Sequence, residues 1–307
     1  MLRCVGLNIC TLNIHMTPTT PIRNNTYNKY KTSKRGRDTV RLIMQSMPRG
    51  FVTDIGVPFE ESITVAQQEE FDFIELFMEG RFAREQLMEN LETHQKQLEE
   101  TNLSLVVHLP FSLDIGSPFD RIREASVSEL SDCLATAAQL DAEKAVVHPT
   151  ANVWQKAYDA EELRPIIVES IRKLHRKASG HDIELCAENI FGTAFTIGNF
   201  DTLLAETDTS MTLDTGHARI SGYTRDRLSE FVKRYSDRIS HVHLNDSRYP
   251  EDEHLPFGSG TVDFRSLFET LQRTDWTGTL SLEVHTQNPE YIVASKQQLD
   301  TVLGSLQ

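Results

Sequence analysis

The chain has 307 residues, 39% of them hydrophobic, with 31 Lys and Arg against 45 Asp and Glu and a formal net charge of −14. That length and hydrophobic content suffice for a sizeable buried core and exclude a wholly disordered protein. No run of about 18 apolar residues is present, so a membrane-spanning helix is excluded, and the acidic total argues against unselective binding to phosphate backbones.

The average hides a division. Residues 1–46 carry eight basic residues (Arg3, Arg23, Lys29, Lys31, Lys34, Arg35, Arg37, Arg41) and one acid, Asp38. Taking those from the totals leaves 23 basic and 44 acidic residues in 47–307, a net of −21, with 16 arginines to seven lysines. Such an acidic, lysine-poor surface fits either adaptation to salt or simple acidic drift. Residues 1–46 are rich in Thr and Asn and show no periodicity. They read as a disordered basic leader, a solvated tail rather than a nucleic-acid contact, or as a mis-assigned start upstream of Met44 or Met47. The apolar stretch 5–14 lacks a cleavage site, so a secretory signal is not expected. Cys4, Cys10, Cys133 and Cys186 form no CxxC pair, which points to a reducing, cytoplasmic setting.

From residue 50 onward, short apolar runs alternate with amphipathic stretches of helical length. The runs are 51–57, 71–77, 104–109, 145–148, 183–188, 210–214, 239–244 and 279–284; the helical stretches include 81–101, 122–140, 160–178, 199–205, 224–235 and 263–274. Hairpin turn signals are missing between them, so parallel strands joined by helical crossovers are expected. Eight such units predict an α/β chain folded as a (β/α)8 TIM barrel, a single domain over 47–307. A doubly wound open sheet is the alternative, but no GxGxxG follows the first run.

Active sites of such barrels occupy the C-terminal ends of the strands, and there the polar residues gather. The third run ends at His108 and the fourth at His148. The fifth ends Cys-Ala-Glu188-Asn, and the sixth gives Leu-Asp214-Thr-Gly-His217. The seventh reads His241-Val-His243-Leu-Asn-Asp246, followed by Asp252-Glu-His254, and the eighth ends Leu-Glu283-Val-His285. One such residue is an ordinary cap or hydrogen-bonded rim residue. Six consecutive strands ending this way place several carboxylates at one mouth, where they repel and resist ionisation unless a cation joins them. Imidazole and carboxylate ligands without cysteine fit a divalent first-row metal, Zn2+ or Mn2+ foremost. Strand side chains repeat every two residues, so His243 is the expected ligand and His241 a deeper partner. Asp246 is expected to cap its loop, and His285 to line the site.

These segments make the chain recognisable. Residues from about 50 to 300 resemble the xylose isomerase-like barrel superfamily, which includes sugar-phosphate isomerases and epimerases and the endonuclease IV branch (AP endonuclease family 2). The resemblance rests on His108-Leu-Pro-Phe, His148-Pro, Glu188-Asn, Leu-Asp214-Thr-Gly-His217-Ala, His243-Leu-Asn-Asp, Asp252-Glu-His254-Leu-Pro-Phe-Gly-Ser-Gly-Thr-Val-Asp and Leu-Glu283. For the isomerase and epimerase branch it implies one divalent metal on Glu188, Asp214, His243 and Glu283. For endonuclease IV it implies three zincs, adding His108, His148, His217, Asp252 and His254 to that set. All nine residues are present. Against the nuclease stand the Ile-Glu75-Leu segment, typical of epimerase-type members, the nine-residue step from His243 to Asp252, and the acidic body.

The expectation is therefore a metal-dependent sugar or sugar phosphate isomerase or epimerase. It would work by metal-assisted proton transfer through an enediolate, with Glu188 and Glu283 moving the proton and His217 stabilising the substrate oxygen. Glu75, Arg248 and His285 are the expected substrate-binding residues. The alternative is a zinc-dependent AP endonuclease, the sole case in which DNA is a partner; a third reading is a non-catalytic metal-dependent sugar-binding module. No membrane partner is expected, and a homo-oligomer is allowed.

Overall fold

The computed structural model describes residues 47–306 apart from residue 155. The expected leader and alternative starts fall in 1–46, outside those residues save for Met47. Each apolar run forms a parallel strand: β1 Arg49–Phe51, β2 Phe73–Phe77, β3 Ser104–His108, β4 Ala142–Val147, β5 Glu184–Glu188, β6 Ser210–Asp214, β7 Ile239–Leu244 and β8 Thr279–Leu282. Hydrogen-bonded ladders run from β2 through β7 in order to β8, and β8 pairs with β1. The ring closes between β1 and β2 through a Val52–Glu75 bridge. Thr53 N donates to Glu75 O at 2.9 Å and Asp72 N to Arg49 O at 2.8 Å across the same seam. The result is a nearly closed eight-stranded barrel.

Two periodicities build it. One face of each strand is apolar: Ile74 and Leu76, Leu105 and Val107, Ala145 and Val147, Leu185 and Ala187, Met211 and Leu213, Val242 and Leu244, Leu280 and Leu282. All are buried and join the helices in one large apolar cluster. The other face points into the lumen, where Phe73, Val106 and Val146 form a small separate cluster. There a Cβ on Gly50 would collide with the Phe73 ring. One step further along the same faces, the lumen turns polar, because residues two apart share a face.

The outer layer contains helices α1 Phe59–Gln68, α2 Arg84–Glu89, α3 Leu91–Glu99, α4 Asp120–Gln139, α5 Ala160–Ser179, α6 Phe200–Glu206, α7 Thr215–Ile220, α8 Arg225–Tyr235, α9 Phe264–Arg273 and α10 Glu290–Gly304. Asp159 and Glu162 form a capping box at the start of α5. Three boundaries differ from expectation. The stretch 81–101 is a 3-10 turn followed by two helices that break at Asn90, whose side chain turns back onto Gln86 O at 2.9 Å. Strand β1 lies earlier than 51–57, because Asp54 accepts from Gly56 N and turns the chain there. Strand β4 begins three residues before Ala145. No described helix is long and apolar enough to cross a membrane.

Candidate metal centre

Period-two alternation carries the lumen upward from its apolar cluster: Phe73 to Glu75 on β2, Val106 to His108 on β3, Val146 to His148 beyond β4, Cys186 to Glu188 on β5, Thr212 to Asp214 on β6, His241 to His243 and Asn245 on and beyond β7, Ser281 to Glu283 beyond β8. Local geometry at β6 is built for its role. Asp214 caps α7 by accepting from His217 N at 2.6 Å. Gly216 is required because a Cβ there would strike Asn245 Oδ1 and Ser247 Oγ.

Four residues, Glu188, Asp214, His243 and Glu283, bring one ligand atom each within 4.8 Å of one another, all four fully buried or nearly so. His108 and His148 join Glu188 on one side; His217, Asp252 and His254 form a group on the other, and His254 also meets Glu283 and His285. Glu188 Oε2 lies 3.2 Å from His148 Nε2, 3.4 Å from His243 Nδ1 and 3.6 Å from His108 Nε2. His243 Nδ1 is 3.2 Å from Glu283 Oε2, and His254 Nε2 is 3.4 Å from Asp252 Oδ1. Ligands at bond lengths of about 2.0–2.1 Å in a tetrahedron stand about 3.3 Å apart, so these separations suit donor atoms around an ion.

The histidine rings are turned for that purpose. His108 Nδ1 donates to Leu109 O at 3.0 Å, leaving its Nε2 free, while His217 Nδ1 donates to Asn189 O at 3.0 Å and its Nε2 meets Asp252 Oδ2 at 3.3 Å. His243 does the reverse: Nε2 donates to Glu75 Oε1 at 2.9 Å and Nδ1 faces the carboxylates. An imidazole whose far nitrogen is engaged is the usual form of a metal ligand. Glu188 Oε2, His243 Nδ1 and His254 Nδ1 are buried yet lack a hydrogen-bond partner, a costly state for polar atoms. A divalent cation would satisfy them, and the donor set fits one.

Electrostatics agree. Burial, reinforced by Glu283 and Glu188 against the pull of His217, pushes the Asp214 carboxyl up to about 7. Burial works against the charge on Glu188 too, but His148 and His243 outweigh it and hold that carboxyl well below the usual range. For His217 burial is again outweighed, by Asp214, Asp252 and Glu188, which push its proton affinity well above the ordinary value.

All nine expected metal residues converge. The three expected substrate residues do not form one wall. Glu75 is fully buried beneath the mouth, hydrogen-bonded to His243 and, at 3.0 Å, to His241. Arg248 is exposed and paired with Glu253 by its Nε at 2.9 Å. His285 is exposed at the rim, stacked on His254 with centroids 3.9 Å apart. Asp246 caps its loop as expected, accepting from Gly260 N at 2.8 Å and Val262 N at 2.9 Å.

Two asparagines went unnoticed in the sequence. Asn245 donates to Asp214 Oδ2 and reaches Glu283 Oε2 at 3.3 Å; Asn189 accepts from Asp214 N at 2.9 Å. Asn245 lies two residues past His243, so the alternation that singled out His243 also reaches it. Phe111 and Phe191, both exposed, flank the mouth. Phe111 stacks on His148 at 5.6 Å, and Phe191 leans over His217 at 5.6 Å.

Inosose dehydratase of Lacticaseibacillus casei is 26% identical over 241 residues, covering 68% of this chain and 73% of that protein. Probable endonuclease 4 of Enterococcus faecalis is 32% identical over 198 residues, 58% of this chain and 65% of that one. The crystal structure of a D-tagatose 3-epimerase-like protein superposes with a TM-score of 0.72 at 26% identity, covering 84% of this chain and 97% of the other. These relatives are enzymes by name. The family described as xylose isomerase-like TIM barrel matches residues 63–302, and the chain belongs to that family.

Proposed function

We propose that the protein is a divalent-metal-dependent isomerase or epimerase acting on a sugar or a related polyol ketone. The observation that carries this reading is the buried group Glu188, Asp214, His243 and Glu283, gathered at the C-terminal ends of β5 to β8. Bound there, a divalent cation supplies Lewis-acid stabilisation of negative charge developing on a substrate oxygen. Glu188 and Glu283 stand three strands apart around the mouth, so each can face a different side of a substrate held between them. One removes the proton next to the carbonyl and the other returns it, a contribution of about 10²–10⁴ in rate. His217, held at Nδ1 by Asn189 O and at Nε2 by Asp252, places a ring that favours positive charge beside the substrate oxygen. Asn245 keeps the Asp214 and Glu283 carboxylates apart and oriented. Similarity to a D-tagatose 3-epimerase-like protein over 84% of the chain supports the reading. So does similarity to inosose dehydratase of Lacticaseibacillus casei over 68% of the chain.

A second reading has its own observation. His108 and His148 with Glu188, and His217 with Asp252 and His254, flank the central group, a nine-residue set suited to three zincs and phosphodiester hydrolysis at an abasic site. The net charge of −21 over residues 47–307 opposes a DNA-binding mouth, and we favour the sugar. The test is to incubate the protein with ketoses and inososes in deuterated water. Deuterium at the carbon beside the carbonyl is the expected result. Absence of exchange, with incision of an abasic duplex, would overturn it in favour of the nuclease.

A further inference from the structure

Beneath the mouth, a hydrogen-bonded chain runs along the lumen. His241 Nδ1 meets Thr279 Oγ1 at 2.6 Å, His241 Nε2 donates to Glu75 Oε2 at 3.0 Å, and His243 Nε2 donates to Glu75 Oε1 at 2.9 Å. All three residues of its centre are fully buried. A carboxylate only accepts, so with both rings neutral one arrangement of protons pairs every polar atom of this chain except the far nitrogen of His243. Thr279 O–H donates to His241 Nδ1, each ring donates its Nε2–H to Glu75, and His243 Nδ1 is left bare, facing Glu188 and Glu283. That nitrogen is one of the buried atoms without a hydrogen-bond partner. Glu75, His241 and His243 also cluster closely enough to suggest a metal group of their own. Their separations of 2.9 and 3.0 Å are hydrogen-bond lengths, shorter than the roughly 3.3 Å between ligands around an ion. Both rings, moreover, spend Nε2 on the same carboxylate.

We propose that Glu75, clamped by His241, is the positioning residue that fixes His243 with Nδ1 bare and aimed at the metal. It does so with a full negative charge, where His108 has only the Leu109 carbonyl behind it. His241 acts one step further out, holding the second oxygen of Glu75 so that the first stays aligned with His243. Phe73 supports His241 from below, with ring centroids 6.0 Å apart. The sequence hides this because the partners lie 166 and 168 residues from Glu75.

This inference rests on the proposal that the mouth binds a divalent ion, and the test separates the two. Wild type, Glu75→Gln and His241→Gln are loaded with Zn2+ alone and titrated with a competing chelator; circular dichroism of the zinc-free proteins checks the fold. Loss of an outer partner of this kind weakens metal binding about 10- to 100-fold. That range is expected for Glu75→Gln, with a smaller loss for His241→Gln, whose amide still donates to Glu75. If Glu75→Gln does not fold, looser zinc in His241→Gln supports the proposal and wild-type affinity overturns it. Wild-type affinity in both folded variants overturns the role of Glu75 while leaving the metal reading intact. Loss of one whole zinc, with the rest held as tightly as before, also overturns it by making Glu75 a ligand itself. A wild-type protein that takes up no zinc overturns both.

Discussion

Two polar clusters lie at opposite ends of the same barrel, and they are built on opposite terms. At the floor, Lys144, Glu184, Ser210 and Ser240 from β4 to β7 close on themselves. Lys144 Nζ meets Glu184 Oε2 at 2.6 Å and also Ser240 Oγ, while Ser240 Oγ donates to Glu184 Oε2 at 2.8 Å and Ser210 Oγ to Glu184 Oε1. One cation faces one anion, and both carboxylate oxygens have donors. At the mouth, Glu188, Asp214 and Glu283 crowd around imidazoles, and buried atoms stay without a hydrogen-bond partner. The floor is a finished structural network; the mouth is complete only with something added. Stability and function have thus been assigned to different ends of identical strands, as expected where the N-terminal face of a barrel carries stability and the C-terminal face carries chemistry.

The comparison breaks most sharply at Glu188, which belongs to two of the metal-competent groups. Glu188→Gln should lower turnover by about 10²–10⁴ and reduce bound metal, with a far-ultraviolet circular dichroism spectrum like that of wild type. Unchanged steady-state kinetics would remove Glu188 from the chemistry.

At the floor the effect should be moderate and confined to stability. Glu184→Gln is expected to cost about 1 kcal/mol, since the carboxylate is partly exposed and the pair is worth little more than a surface one, while turnover and metal content stay unchanged. Burial alone would raise the Glu184 carboxyl, but Lys144, Ser210 and Ser240 outweigh it and hold its pKa below the ordinary value of 4.5. A carboxylate lowered in the folded state adds stability at pH values above its unfolded pKa. That stability disappears as pH falls through the folded one. Thermal melts across a series from pH 7 to pH 3 should therefore show a shallower acid limb in Glu184→Gln than in wild type. Equal acid limbs would mean that the pair contributes nothing to acid stability.

The smallest effect is predicted at Arg248. Its guanidinium is exposed and already paired with Glu253, so Arg248→Ala should leave melting temperature and KM for a neutral sugar unchanged. A KM raised selectively for a phosphorylated sugar would return Arg248 to the site in which the sequence placed it.

What the sequence could reveal follows from the range of each interaction. Strands ending in His108, His148, Glu188, Asp214, His243 and Glu283 were legible because an apolar run and its terminal polar residue are adjacent in the chain. Alternation separated His243 from His241 for the same local reason. The histidine partners of Glu75 are not legible, because Ile-Glu-Leu looks alike whether the glutamate reaches a ligand or sits between two histidines; only ring closure of the barrel brings β7 across to it. The break at Asn90 was hidden because no Gly or Pro marks it, and its cause is a single side chain turning back on the preceding turn. Asn189 holds the Asp214 backbone from 25 residues away and Asn245 its carboxylate from 31, distances over which sequence carries no signal of its own.

The account turns on whether the mouth holds a divalent ion, and elemental analysis of the purified protein, before and after exhaustive chelation, tests that most directly. About one Mn2+, Mg2+ or Co2+ per chain, with activity lost on chelation and restored by the ion, is the predicted result for a single four-ligand centre. About three zincs per chain would transfer the site to phosphodiester chemistry. Full activity from protein stripped of every divalent ion would contradict the central claim.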